Sequence, residues 1–204
     1  MGPRKLFIAA VAVTAIVFGT WLSFKVASPP PVPQVATVFP VAGEVPEFSL
    51  LDHNGDLVGR DVFQGYWNLV FFGFTHCPDI CPLTLQVLTS AKNELAADGF
   101  TPLPRIVLVS VDPERDTPEN LAKYVAYFGD DNVGITGDLT ELLKLTKGLG
   151  IYFEKTAGDA ENYSVAHSAV VLVINPDGQL KALFSAPHEA GNFVHDLPII
   201  MGQQ

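Results

Sequence analysis

The chain has 204 residues, 48% of them hydrophobic, so one domain with a full core and a short extension fits within it. Its formal net charge of −10 repels nucleic acid and excludes that class of partner. Two cysteines, Cys77 and Cys81, are too few for a disulfide framework in a chain of this size.

The first predicted element is "LFIAAVAVTAIVFGTWLSF", residues 6–24, with no charged side chain. At about 1.5 Å per residue it is long enough to cross the hydrocarbon core of a bilayer. Arg4 and Lys5 precede it and the acids follow it, which sets the amino terminus in the cytoplasm and the bulk of the chain outside. A cleaved signal peptide is the competing reading. The run is longer than a usual signal core and only "KVASPP" follows it, so a retained anchor is expected, residues 1–27, on the inner membrane with the domain in the periplasm. The remainder carries nine basic and 22 acidic residues, a net of −13. "SPPPVP" opens a stiff, extended spacer expected over residues 28–41, because proline fixes φ and removes a donor. The domain is expected over residues 42–204.

Within it, "EFSLLDHNGDLVGR" predicts a hairpin turning at Asn54-Gly55. "WNLVFFGF", residues 67–74, is apolar on both faces, the pattern of a central buried strand. Leu85, Leu88, Ala91 and Leu95 then recur at helical spacing. Pro82 suits a first helical position, which predicts Cys81 as the cap. "RIVLVSVD", residues 105–112, predicts a second buried strand, and "TPENLAKYVAYF" a helix capped by Thr117. A third short helix is expected over residues 139–150. A hairpin is expected over residues 168–184, turning at "NPDG", and a last helix over residues 189–200. A buried sheet with interleaved helices and a terminal hairpin is an α/β sandwich. The order β-α-β-α-β-β-α, with a thiol pair after the first long strand, suggests a thioredoxin-like fold.

Three roles are open for Cys77 and Cys81: a structural staple, a redox pair, or two legs of a metal site. A staple across four residues constrains almost nothing, since disulfides stabilise most when they close long loops. Cys81 at a helix start meets unpaired N–H groups and the positive end of the helix dipole, which favour the reactive thiolate. Three intervening residues, rather than the two of a thioredoxin pair, leave a loop wide enough for both sulfurs to face one ion. No Arg or Lys stands in "THCPDICP", which disfavours a peroxidase.

A metal site needs a third ligand. His76 adjoins Cys77, but neighbours on an extended segment point to opposite sides. His53 lies in a turn, and His188 and His195 lie near the carboxyl terminus. His167, in "NYSVAHSAVVLV", stands at the entry to a buried strand, an end that in a thioredoxin-like sheet lies beside the thiol helix. Two thiolates and an imidazole suit copper. Structural zinc wants a fourth ligand, and there is no third cysteine. Asp116 and Thr117 read as helix caps, and Asp112 ends a strand on the sheet edge that bears Cys77.

The blocks "GFTHCPDICP", "SVDPERDTPE" and "YSVAHS" resemble the three signature blocks of the Sco/SenC family, membrane-anchored copper proteins required to assemble cytochrome c oxidase. The resemblance runs roughly from residue 45 to the end, with the blocks in order. It implies a thioredoxin-like fold and one copper per chain, Cu(I) or Cu(II), held by Cys77, Cys81 and His167. It implies Asp112 as a residue that orients or tunes the site from outside the ligand set. The implied role is a metallochaperone rather than an enzyme, delivering copper to the dinuclear copper site of cytochrome c oxidase subunit II. Another copper chaperone is the implied kind of donor. The alternatives are a thiol-disulfide oxidoreductase that keeps the oxidase cysteines reduced through the Cys77/Cys81 pair, and a copper or redox sensor. Ala166 stands where many family members carry an acid before the ligand histidine.

Overall fold

The computed structural model describes residues 2–27, 31–156 and 163–202. Two units are present, residues 1–32 and 33–204. The first is helix α1, Pro3–Ala27. Its stretch Pro3–Ser23 is long and apolar enough to cross a membrane. The hydroxyls of Thr14 and Thr20 donate to Ala10 O and Ile16 O at 2.9 Å, so these two hydroxyls are satisfied within the helix.

The second unit opens with strand β1, Thr37–Glu44, then β2, Leu50–Asp52, and β3, Leu57–Val58. A 3-10 turn follows at Arg60–Phe63, then β4, Asn68–Gly73, and α2, Ile80–Ala97. Strand β5, Arg105–Ser110, leads to α3, Pro118–Phe128, then β6, Val133–Thr136, and α4, Leu139–Gly148. Short strands β7, Phe153–Lys155, and β8, Val165–His167, pair with each other. The chain ends with β9, Val170–Ile174, β10, Gln179–Ser185, and α5, Ala190–Gly202.

The main sheet has eight strands in the order β1-β10-β9-β4-β5-β6-β2-β3. β4, β5 and β6 run parallel, and β9 returns antiparallel to β4. Every residue of β4 is buried, as its unbroken apolar run requires of a strand covered on both faces. Leu85, Leu88, Ala91 and Leu95 form the buried stripe of α2, and this helix packs with α5. The hairpins at Asn54-Gly55 and "NPDG" form where expected, with Gly55 and Gly178 at φ 87° and 77°, values that favour glycine.

Several elements depart from the sequence reading. β1 lies partly inside the segment expected as spacer, and the expected domain start at Ala42 falls within it. Pro40 is tolerated because β1 is an edge strand whose register with β10 shifts between Val38 and Gly43. β6, β7 and β8 have no sequence counterpart above. Helix α2 starts at Ile80 with Asp79 at its cap, so Cys81 is already inside the first turn rather than at the cap.

Candidate metal centre

Three segments converge at one end of the sheet. β4 and β5 finish there side by side, and β9 starts there because it runs antiparallel to β4, with Val171 opposite Phe71. The carboxyl ends of adjacent parallel strands are the usual seat of a site in α/β folds. β4 runs into Phe74 and a turn closed by Cys77 N–H donating to Phe74 O at 3.3 Å. The His76–Cys77 pair therefore sits in a turn, not on an extended segment.

Both cysteines are free thiols. Cys81 is fully buried and Cys77 half-buried, with Cys81 N–H donating to Cys77 Sγ at 3.4 Å. Burial pushes the Cys81 thiol pKa well up, and the neighbouring Cys77 adds to this while the Phe74 backbone pulls the other way. The helix dipole is outweighed, and metal-free Cys81 is a thiol rather than the thiolate expected from its place at a helix start. The seat under it is made by Gly73: a Cβ there would lie 3.0 Å from Cys81 Sγ and 2.8 Å from Phe71 Cε1.

His167 ends β8 and brings Nε2 to 3.6 Å from Cys81 Sγ. Its Nδ1 lies 3.2 Å from Ser168 O. A carbonyl only accepts, so Nδ1 carries the proton and the Nε2 lone pair faces the sulfur. Burial lowers the His167 pKa, which favours the neutral, ligating imidazole. Phe71 and Phe74 meet the ring edge-on, with centroids 5.9 and 6.1 Å away, and fix its plane. Two thiols and a tautomer-fixed imidazole are a soft donor set that fits copper. Among the described residues, no three His, Cys, Asp or Glu side chains are gathered into a finished metal cage.

The loop after β5 supports this end of the sheet. Asp112 accepts from Tyr163 OH at 2.6 Å and from Arg115 Nε at 2.5 Å. The Arg115 guanidinium lies over the rings of Tyr163 and Phe74, at 3.7 and 5.8 Å. Asp112 thus reaches His167 through Arg115 and Phe74, not directly. Asp116, read from sequence as a cap, is a fully buried carboxylate bonded to the cysteine loop. It accepts from Thr75 N at 2.9 Å, Thr75 Oγ1 at 2.5 Å and Ser110 Oγ at 2.7 Å. Thr117 caps α3 as expected, accepting from Asn120 N. Asp116, Thr75, Arg115 and Tyr163 were not singled out for the site by sequence. The strand-ending "SVDPERD" carried a faint signal for Asp116, and Tyr163 carried none.

Three other histidines make contacts of their own. His53 Nδ1 accepts from Gly134 N, His188 packs on Phe193, and His195 pairs with Asp196. Ala166 is exposed beside His167.

A Stutzerimonas stutzeri protein named for copper binding is 35% identical over 160 residues, 78% of each chain. The mouse mitochondrial SCO2 homolog is 36% identical over 152 residues, 74% of this chain but only 60% of its own length. The crystal structure of Arabidopsis thaliana ScoI with copper bound superposes with a TM-score of 0.73 at 30% identity, covering 78% of this chain and 99% of that one. The SCO1/SenC family model matches residues 40–201, a span that holds β4, the thiol turn, the Asp112–Asp116 loop and His167. With that match over most of its length, this chain belongs to the SCO1/SenC family.

Proposed function

We propose that this chain is a membrane-anchored copper metallochaperone. In this reading Cys77, Cys81 and His167 bind one copper, and the chain hands it to the dinuclear copper site of cytochrome c oxidase subunit II. The observation that carries it is the 3.6 Å approach of His167 Nε2 to Cys81 Sγ, with the other ring nitrogen occupied by Ser168 O. An imidazole fixed in that tautomer is prepared to donate to a metal. A disulfide exchange needs only the two sulfurs. Copper is cargo here, taken up as Cu(I) or Cu(II) from a donor such as another copper chaperone.

On binding, Cys81 and Cys77 each give up a thiol proton to solvent, Cys77 closes the ligand set, and the Phe71 and Phe74 rings keep water from the His167 side. Helix α1 serves as a single-pass anchor in the inner membrane. Residues 28–36 serve as a spacer leading into β1, and the copper-binding domain faces the periplasm. The basic residues before the apolar helix and the acidic domain after it support that orientation.

A second reading is favoured by the unequal exposure of the thiols. Half-buried Cys77 would attack a partner's disulfide, and buried Cys81 would resolve the mixed disulfide, leaving Cys77–Cys81 oxidised and the partner reduced. His167→Ala separates the two. A carrier loses copper and fails to support oxidase assembly while its cysteines still cycle. A reductase loses copper and keeps oxidase activity. Copper stoichiometry of the purified chain and oxidase activity of cells carrying only the variant are the measurements. Unchanged copper binding would show that His167 is not the third ligand.

A further inference from the structure

Next to Cys77 stands a second histidine whose tautomer is set by its neighbours' hydrogen bonds. The Asp116 carboxylate can only accept, and Thr75 has one hydroxyl proton. That proton goes to Asp116 Oδ1, 2.5 Å away. Thr75 Oγ1 therefore accepts at its 3.1 Å contact with His76 Nδ1, and Nδ1 carries the hydrogen. Neutral His76 then holds its lone pair on Nε2, which has no hydrogen-bond partner among the described residues, on a side chain 52% exposed. A buried carboxylate acting through a hydroxyl on the far ring nitrogen is the device that prepares a histidine to ligate metal. His167, which is the more buried of the two, has the same tautomer.

Resting on the copper reading above, we propose that His76 is a transfer ligand: copper held by Cys77, Cys81 and His167 passes to His76 Nε2 on its way to a partner. The step is an exchange of one neutral imidazole for another. The bond from copper to His167 Nε2 breaks as the bond to His76 Nε2 forms, and no proton or electron moves. The ion leaves an imidazole walled by Phe71 and Phe74 for one exposed to solvent, where a partner's thiols or imidazoles can reach it. Cys77 is the pivot, half-exposed and adjacent in sequence.

The test uses the reduced full chain in detergent, loaded with one Cu(I) and mixed with excess bicinchoninate. Release rate and equilibrium affinity are read separately. His76→Ala should keep one copper with near wild-type affinity and release it roughly tenfold more slowly, the lower end of what loss of a metal-supporting group costs. Asp116→Asn tests the relay without touching the imidazole. The asparagine oxygen must face Thr75 N and Ser110, so its NH2 faces Thr75 Oγ1 and turns that hydroxyl toward His76 Nδ1. The 15N spectrum should then show the His76 proton on Nε2, with release slowed as in His76→Ala. Wild-type release from His76→Ala, whose exposed site threatens no core, overturns the inference and leaves the copper reading standing. A loss of affinity as large as that of His167→Ala also overturns it, since His76 would then be a resident ligand. A wild-type chain that takes up no Cu(I) overturns both readings.

Discussion

Asp196 clasps the start of the second unit to its last helix, and removing it should be strongly destabilising. Its carboxylate is fully buried. It accepts from the backbone amides of Gln34, Val35 and Ala36 at 2.8, 2.9 and 2.8 Å, and from His195 Nδ1 at 2.7 Å. Burial alone would raise its pKa; the three amides and His195 outweigh burial and hold it below the ordinary 3.8. Hydrogen bonds to a charged acceptor contribute about 1.5–3 kcal/mol each. The strap at residues 34–36 sits at a sheet edge and can regain water, so the full sum will not appear. Asp196→Ala should cost about 3–5 kcal/mol, the range for breaking a buried charged set. At roughly 2–4 °C per kcal/mol for a unit of this size, the melting temperature should fall by about 6–20 °C. Asp196→Asn should cost less, because its oxygen still serves Val35 and Ala36. Since the folded pKa is depressed, the stabilisation is full above the unfolded value near 3.8 and is lost as pH falls through the folded pKa. The gap between wild type and Asp196→Ala should therefore be constant near neutrality and shrink only below about pH 4. Circular-dichroism melts from pH 3 to 8 measure both. A melting temperature within about 2 °C of wild type at pH 7 would show that the strap amides are as well satisfied by water.

Gly73→Ala places a methyl 2.8 Å from Phe71 Cε1 and 3.0 Å from Cys81 Sγ. It should cost about 1–3 kcal/mol by overpacking and weaken copper binding with it, read by denaturant melts and copper titration. Because the Cys81 thiol is held protonated by burial, Cu(I) affinity should climb by at least about tenfold per pH unit between pH 6 and 8, since at least the Cys81 proton leaves for each ion bound. A pH-independent affinity would mean that Cys81 does not ligate. The reduced chain should take up one copper and the Cys77–Cys81 disulfide form almost none, since a disulfide sulfur is a poor ligand beside a thiolate; equal uptake by both forms, measured by metal analysis after desalting, would sink the thiolate site.

The parts of the fold legible in the sequence are those with long, one-signal patterns. β4 reads from six consecutive buried positions and α2 from four residues at helical spacing. β1 was hidden because Pro40 breaks the strand pattern, and only its place at a sheet edge makes that harmless. β6 is four residues long with Gly134 inside it, too short to carry a period. At the site, the two thiols and His167 were legible because cysteine and histidine announce their chemistry. Asp116 was read as a cap because its partners Thr75 and Ser110 lie 41 and six residues away, across a parallel strand pair that local sequence does not encode. The protonated state of Cys81 was misread for a related reason. Its place at the start of a helix is a local fact, whereas its burial is made by Gly73, Phe71 and His167 from other elements.

The close seat of Cys81 over Gly73 also limits oxidative damage. Sulfinic and sulfonic acids surround a sulfur with two or three oxygens. Cys81 Sγ has no exposure, a glycine floor too near to admit even one carbon without contact at 3.0 Å, and an imidazole nitrogen 3.6 Å away. Peroxide meets Cys77 first, on the open side. The sulfenic acid formed there condenses with the Cys81 thiol, releasing water and leaving a disulfide that thiols can reduce again. The buried sulfur thus acts as a stop: oxidation of this protein in an aerobic compartment halts at a reversible rung of the ladder rather than running on to the irreversible acids.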